Sequence, residues 1–169
     1  ENSIKAQERA YDVVIDICKR SSKGEVLLFS TGQREIIEAV EYLNKNMPPG
    51  NIALPYFSAM NKKYKSIIEN IEKNIMKVKN HRENVYKEWG SEFIEDTSVP
   101  NDIYKRSIIV ATNVAEASIT INGLEYVVDN GYSKESNFGK LEVEKISEAS
   151  RLQRKGRVGR LGDGVVYYM

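Results

Sequence analysis

"VLLFSTGQREIIEAVEYLNKN", residues 26–46, decides the fold. The run Val26–Ser30 is apolar, bounded by polar residues and too short for a helix, so it reads as a buried strand. Thr31-Gly32 breaks the run. Ile36, Ile37, Val40 and Leu43 then recur at helical spacing, and "MPPG" (47–50) stops the pattern. A strand feeding directly into a helix is the unit from which parallel sheets are built, and the rest of the chain can be tested for its repetition.

Upstream, Ile4, Ala10, Val13, Val14, Ile17 and Cys18 predict a helix over 4–20 that "SSKG" (21–24) closes. Downstream, "NIALPYF" (51–57) predicts a strand. "NKKYKSIIENIEKNIMKV" (61–78) predicts a helix with Ile67, Ile68, Ile71 and Ile75 on one side. Residues 79–106 lose periodicity and carry many charges, as expected of a peripheral insertion, with Trp89 and Phe93 able to anchor a small satellite cluster. "SIIVAT" (107–112), "LEYVVDNG" (124–131) and "GVVYYM" (164–169) predict further strands, and "SEASRLQRKGRVGR" (147–160) a helix before the last. The alternation specifies an α/β fold, a mostly parallel sheet flanked by helices.

Composition bounds the function. A chain of 169 residues, 41% hydrophobic, is about one domain. With 25 Lys and Arg against 24 Asp and Glu, an electrostatic partner site must be local. One basic run lies between Asn61 and Trp89, where eight Lys and Arg outnumber four Glu; a solvated helix face accounts for it. The other lies between Glu148 and Asp163, with Arg151, Arg154, Lys155, Arg157 and Arg160 and no acid inside. Cys18 is the lone cysteine and His81 the lone histidine, so neither an internal disulfide nor a His/Cys metal site is expected. No apolar run of membrane-spanning length and no leader occurs, which sets the expectation of a soluble, cytoplasmic protein that does not engage membranes. The start at Glu1 and the stop at Met169, straight after a strand pattern, give the expectation of a monomeric piece of something longer.

In an open parallel sheet ligands gather at the carboxyl ends of strands, which directs attention to "STGQ", "TNVAEASITIN", "DNG" and the basic helix. On that helix Gln153, Arg157 and Arg160 fall at about 0°, 40° and −20°, one narrow stripe of an amide and two guanidiniums, while Arg154 points elsewhere. Such a stripe offers forked donors to a polyphosphate. It equally describes a basic surface helix against nucleic-acid backbone or water. No nucleophile–base pair and no acid–base carboxylate pair stands out.

The order of four motifs carries a resemblance. "LLFSTGQREI", "ALPYFSAM", "IIVATNVAEASITINGLEYVVDNGYSK" and "ASRLQRKGRVGR", at these separations, resemble the motif series of the second RecA-like domain of DEAH-type superfamily 2 RNA helicases, over about residues 20–169 apart from the charged stretch. The "GRVGR" form is similar to that of viral members such as the poxvirus NTPase/RNA helicases. The resemblance implies a P-loop NTPase-like fold in which ATP or another NTP, with Mg2+, lies between this domain and a first RecA-like domain. It further implies that Arg157 and Arg160 act as arginine fingers, with Gln153 toward the γ-phosphate and attacking water. Asn122, Gly123 and Ser118 then face the nucleotide, and Thr31, Ser58, Thr112, Asn113 and Thr120 follow single-stranded or partly duplex RNA. Residues 132–147 match the β-hairpin such helicases push between strands. No G-x-x-x-x-G-K-[ST] and no D-E-x-H occurs, so the chain alone carries half an active site and is expected to be inactive. It departs from the pattern at Ala117 for Thr, Asn122 for Asp and Asn130 for Pro, and Ile68 lies where many relatives place an adenine-stacking ring. An ATP-independent RNA-binding scaffold of the same shape and a related DNA motor are the alternatives.

Overall fold

The structure, a computed structural model, describes residues 2–60, 62–71, 105–112, 121, 123–137, 140–145 and 165–169. Helix α1 (Asn2–Arg20) leads into strand β1 (Glu25–Phe29), helix α2 (Gln33–Asn46), strand β2 (Asn51–Tyr56) and helix α3 (Lys62–Glu69). Strands β3 (Arg106–Ala111) and β4 (Leu124–Asp129), a hairpin of β5 (Tyr132–Asn137) and β6 (Lys140–Lys145), and strand β7 (Val165–Tyr168) follow. Five strands form one sheet in the order β2-β3-β1-β4-β7, and every pairing in it is parallel. The fold is thus the parallel α/β architecture that the strand–helix alternation predicts. β5 and β6 pair antiparallel, with Tyr132 opposite Lys145 and Asn137 opposite Lys140.

β1 occupies the middle of the sheet, and all five of its residues are buried, as an uninterrupted apolar run requires of a strand covered on both faces. α2 turns Ile36, Ala39, Val40 and Leu43 into the core. α1 buries Ala6, Ala10, Val14, Ile17 and Cys18. Ile4, counted among the helix's apolar positions on sequence, is instead 67% exposed. Two residues before Ala6, it lies about 200° round the helix and so on the opposite side. Burial pushes the Cys18 thiol above its ordinary pKa, against the opposing pull of the Arg106 hydrogen bond and charge, so Cys18 is held as a protonated core group.

The margins of the sheet differ. β2 lies at one end of the strand order, where Pro55 can lack its N–H without costing the ladder a bond. The Asn44 side chain covers part of that margin: its amide donates to the Ala53 carbonyl (3.2 Å) and its oxygen accepts from the Ala53 N–H (2.8 Å). At the other margin, β7 leaves Val165 45% and Tyr168 41% exposed.

At the amino ends of the strands sits a fully buried cation. Arg106 donates through Nη1 to the carbonyls of Ile17 (3.4 Å) and Ser21 (3.2 Å), and through Nη2 to Ser21 Oγ (2.8 Å) and the Lys23 carbonyl. Its guanidinium carbon stands 5.7 Å from the centre of the Tyr126 ring. The fork therefore adds a bond to the Ile17 carbonyl, which already accepts from the Ser21 amide, and gathers two carbonyls of the loop after α1, where the helix dipole also favours a positive charge. Beside it, Glu25 accepts from the amide (2.8 Å) and the hydroxyl of Ser107. This corrects one boundary. Arg106, expected as the last residue of a peripheral insertion, opens a central strand, and Lys105 already donates its amide to the Gly50 carbonyl at 2.8 Å. A polar, charged residue masked the start of the strand because its side chain is buried by hydrogen bonding rather than by apolar packing. Residues 79–104 lie outside the described residues, as does the helix predicted over 147–160.

Replacing Arg106 by Leu is expected to lower stability by about 2–4 kcal/mol, because the Ile17, Ser21 and Lys23 carbonyls lose a charged donor at once. Arg106→Lys, which keeps the charge but not the fork, should recover only part of the loss. The urea unfolding midpoints of the three proteins check both statements.

Candidate functional site: the carboxyl edge of the sheet

Register fixes what stands beside what. Phe29 of β1 and Tyr56 of β2 both pair with Ala111 of β3, so the three strands end level. The Ser30 amide donates to the Ala111 carbonyl at 2.7 Å, extending the β1–β3 ladder one residue beyond the strand. Ser58 and Thr31 therefore follow two residues past that level and Thr112 one, at the carboxyl ends of adjacent strands in the order β2, β3, β1. Ser58 is exposed at the tip of a turn closed by Met60 N–H to the Phe57 carbonyl (3.2 Å), and its own carbonyl accepts from Lys65 Nζ (2.7 Å). Thr112 is half-buried, and Thr31 is 9% exposed. Three hydroxyl-bearing residues that are distant in sequence thus gather in one staggered row at this edge.

α2 starts at the Thr31 end of that row. Gly32 caps the helix in extended conformation and supplies no side-chain oxygen to the first turn. Past Thr31 the ground becomes acidic: a cleft of about 350 Å³ between α1 and α2 is lined by Gln7, Tyr11 and Thr31 together with Glu8, Glu35 and Glu38. The Tyr11 hydroxyl registers this field. Burial raises its pKa most, the Gln7 hydrogen bond opposes that, and the charges of Glu38, Glu35 and Glu8 raise it further. A polyanion lying along the row meets repulsion at the cleft and, at the other end, the Lys65 ammonium beside Ser58.

Gly123 stands elsewhere. It adopts φ of +80°, a conformation that favours glycine, and its carbonyl accepts from the Glu25 amide (3.0 Å) where β1 begins. It therefore lies at the amino edge of the sheet, separated from the hydroxyl row by the length of β1, about 16 Å. β7 sets out from the same edge, its Val165 beside Tyr126 of β4. The structure accordingly brings Thr31, Thr112 and Ser58 together and keeps Gly123 apart from them. Asn113, Ser118, Thr120, Asn122, Gln153, Arg157 and Arg160 lie outside the described residues. Ile68, placed on sequence where relatives carry a stacking ring, is buried in the core and offers no face to a base.

Sequence reasoning missed a polar cluster at the same carboxyl edge. Gln7 donates to Ser30 Oγ (3.0 Å) and Tyr11 Oη (3.2 Å) and accepts from Asn130 Nδ2 (3.1 Å). Asn130 Oδ1 in turn accepts from the Tyr132 amide (3.0 Å), and Asp129 Oδ1 from the Gly131 amide (2.8 Å). The signal was available in Asn130 itself: a proline there could make none of these side-chain bonds.

Comparison with known proteins agrees with this architecture. The helicase conserved C-terminal domain family matches residues 9–162. The mimivirus protein R366, whose name describes it as an inferred ATP-dependent RNA helicase, is 38% identical across 90% of this chain and 9% of its own length. The Arabidopsis thaliana DExH-box ATP-dependent RNA helicase DExH1 is 35% identical across 89% of this chain and 13% of its own. The Escherichia coli ATP-dependent RNA helicase HrpA is 31% identical across 89% of this chain and 10% of its own. Among solved structures, the E. coli DExH-box NTPase HrpB superposes with a TM-score of 0.69 at 23% identity, over 96% of this chain and 17% of that one. The chain thus spans roughly a tenth of the length of these curated relatives. A five-stranded parallel sheet with these motifs in this order places the chain in the helicase conserved C-terminal domain family, as the second RecA-like domain of the DEAH/DExH type.

Proposed function

We propose that this domain is the second motor domain of an NTP-dependent RNA helicase, carrying a sugar-phosphate track on the carboxyl edge of its sheet and arginine fingers for NTP hydrolysis. The observation that carries this reading is the hydroxyl row. Ser58, Thr112 and Thr31 come from three separate segments, yet parallel pairing brings them to one carboxyl edge, Thr31 and Ser58 two residues and Thr112 one residue past the level trio of Phe29, Tyr56 and Ala111. Small hydroxyls joined to backbone donors suit a phosphate backbone followed without base reading. The uncapped start of α2 adds N–H donors at one end of the row. Asn113 and Thr120 extend the same track.

Gln153, Arg157 and Arg160 are the nucleotide-facing stripe, with Asn122, Gly123 and Ser118 beside them. Two placements support this. Gly123 and the start of β7 share the amino edge, and Arg160 precedes Val165 by five residues, a reach of at most about 18 Å. A nucleotide there lies between this domain and a first RecA-like domain of the same chain, which supplies the phosphate loop and the carboxylates for Mg2+. Bound Mg2+ would supply charge neutralisation at the phosphates; the guanidiniums of Arg157 and Arg160 would neutralise charge that grows on the transferring phosphoryl group, and the Gln153 amide would orient water. We place the full-length protein in the cytoplasm.

RNA-stimulated NTP hydrolysis by the full-length protein tests the reading, and its absence overturns it. Arg157→Ala or Arg160→Ala should lower kcat by about 10³ or more while leaving RNA affinity without nucleotide within about threefold. Equal losses in both would make the helix an RNA contact. Thr31→Val combined with Thr112→Val should weaken single-stranded RNA binding by about fivefold or more, by the same factor on different homopolymers, as titration by anisotropy would show. With Ile68 in the core and Asn122 uncharged, this half of the cleft supplies little base discrimination. The four common NTPs are therefore expected to give kcat/KM values within about tenfold, or 1.4 kcal/mol, of one another at saturating RNA.

A further inference from the structure

The hydrogen bonds around Gln7 join three parts of the fold that the backbone connects only at a distance. One is the end of β1, where Ser30 is fully buried and precedes Thr31 of the hydroxyl row. The second is the end of β4, where Asn130 is 1% exposed and leads directly into the hairpin. The third is α1 itself, through Gln7 and the neighbouring Tyr11 one turn on. The root of the hairpin is in turn set by side chains: Asp129 and Asn130 each accept from the amide two residues ahead, those of Gly131 and Tyr132. β5 begins at Tyr132, so the orientation of Asn130 governs where the hairpin leaves the sheet.

We infer that Gln7 is a positioning residue that holds the root of the β5–β6 hairpin in register with the Thr31 end of the RNA track, so that motion of the track is transmitted to the hairpin as strand separation. This rests on the reading of the domain as a helicase motor. One Gln amide is suited to the task because its ends differ: the nitrogen serves Ser30 and Tyr11, and the oxygen serves Asn130. Removing it takes a partner from two buried polar side chains and frees the turn at Asn130, while the stretch of Gln153, Arg157 and Arg160 keeps all its groups.

The test uses the full-length protein and a duplex RNA with a single-stranded loading end. In Gln7→Leu, base pairs separated per NTP hydrolysed should fall about fivefold, equivalent to about 1 kcal/mol, while RNA-stimulated hydrolysis stays within about twofold. Peptides spanning 129–134 should exchange amide hydrogen about fivefold faster. Gln7→Glu should restore part of the yield, because its carboxylate can accept from Asn130, Ser30 and Tyr11 alike but meets the charges of Glu8, Glu35 and Glu38. Should Gln7→Leu unfold, Gln7→Asn gives the same reading: it remains polar but, one methylene shorter, cannot span both partners, and it too should lose yield. Unchanged yield in the shortened variant, or hydrolysis and strand separation falling in equal proportion, overturns the inference. If the wild-type protein neither hydrolyses NTP with RNA nor separates strands, the motor reading fails and the coupling with it; faster exchange at 129–134 would then show only a structural brace.

Discussion

The fold turns on where a single buried guanidinium puts the end of a helix. Arg106 gathers carbonyls from the last turn of α1 and the loop after it, and it does so from the first residue of a central strand. An unpaired charge in such a place would cost several kcal/mol, so the arrangement stands only when α1, the loop and β3 meet correctly. Once Ile17 is fixed at the amino edge, a rigid helix of 1.5 Å per residue carries Gln7 about 15 Å away. That matches the length of β1, about 16 Å, and sets Gln7 at the other edge of the sheet. The positioning cluster at the carboxyl edge is thus specified from the opposite end of the strands.

This gives the domain a polarity. Hydroxyls collect where three strands end, and Gly123 and the start of β7 collect where strands begin. Between the two edges run β1, β2 and β3, whose residues are almost all buried, a medium that transmits displacement with little compliance. Two ligands placed at these edges would sense each other through the translation of whole strands more than through side-chain relays.

Much of this was legible in the sequence because it depends on period. Residues 33–46 form the helix that their spacing predicts, and "VLLFS" reads as a buried strand because both its faces are covered. The motif order carried the family. What escaped depends on partners rather than period. Ile4 shares a helix with the core residues yet lies out of phase with them, a difference of two positions that only the structure resolves. Arg106 is charged and is nevertheless the largest fully buried side chain among the described residues. Gln7 looks like any polar helix residue until β1 and β4 bring Ser30 and Asn130 to it. The hydroxyl row lies between these cases: each member was named from the motifs, but their adjacency is a property of strand order.

The two margins of the sheet carry a separate consequence. Pro55 offers no donor, and the Asn44 amide occupies both backbone groups of Ala53, so β2 is a closed margin against any added strand. β7 has one strand neighbour among the described residues and exposes Val165 and Tyr168. Among the described residues, a strand added to this sheet therefore finds its open side at β7, beside Val165 and Tyr168, and not at β2.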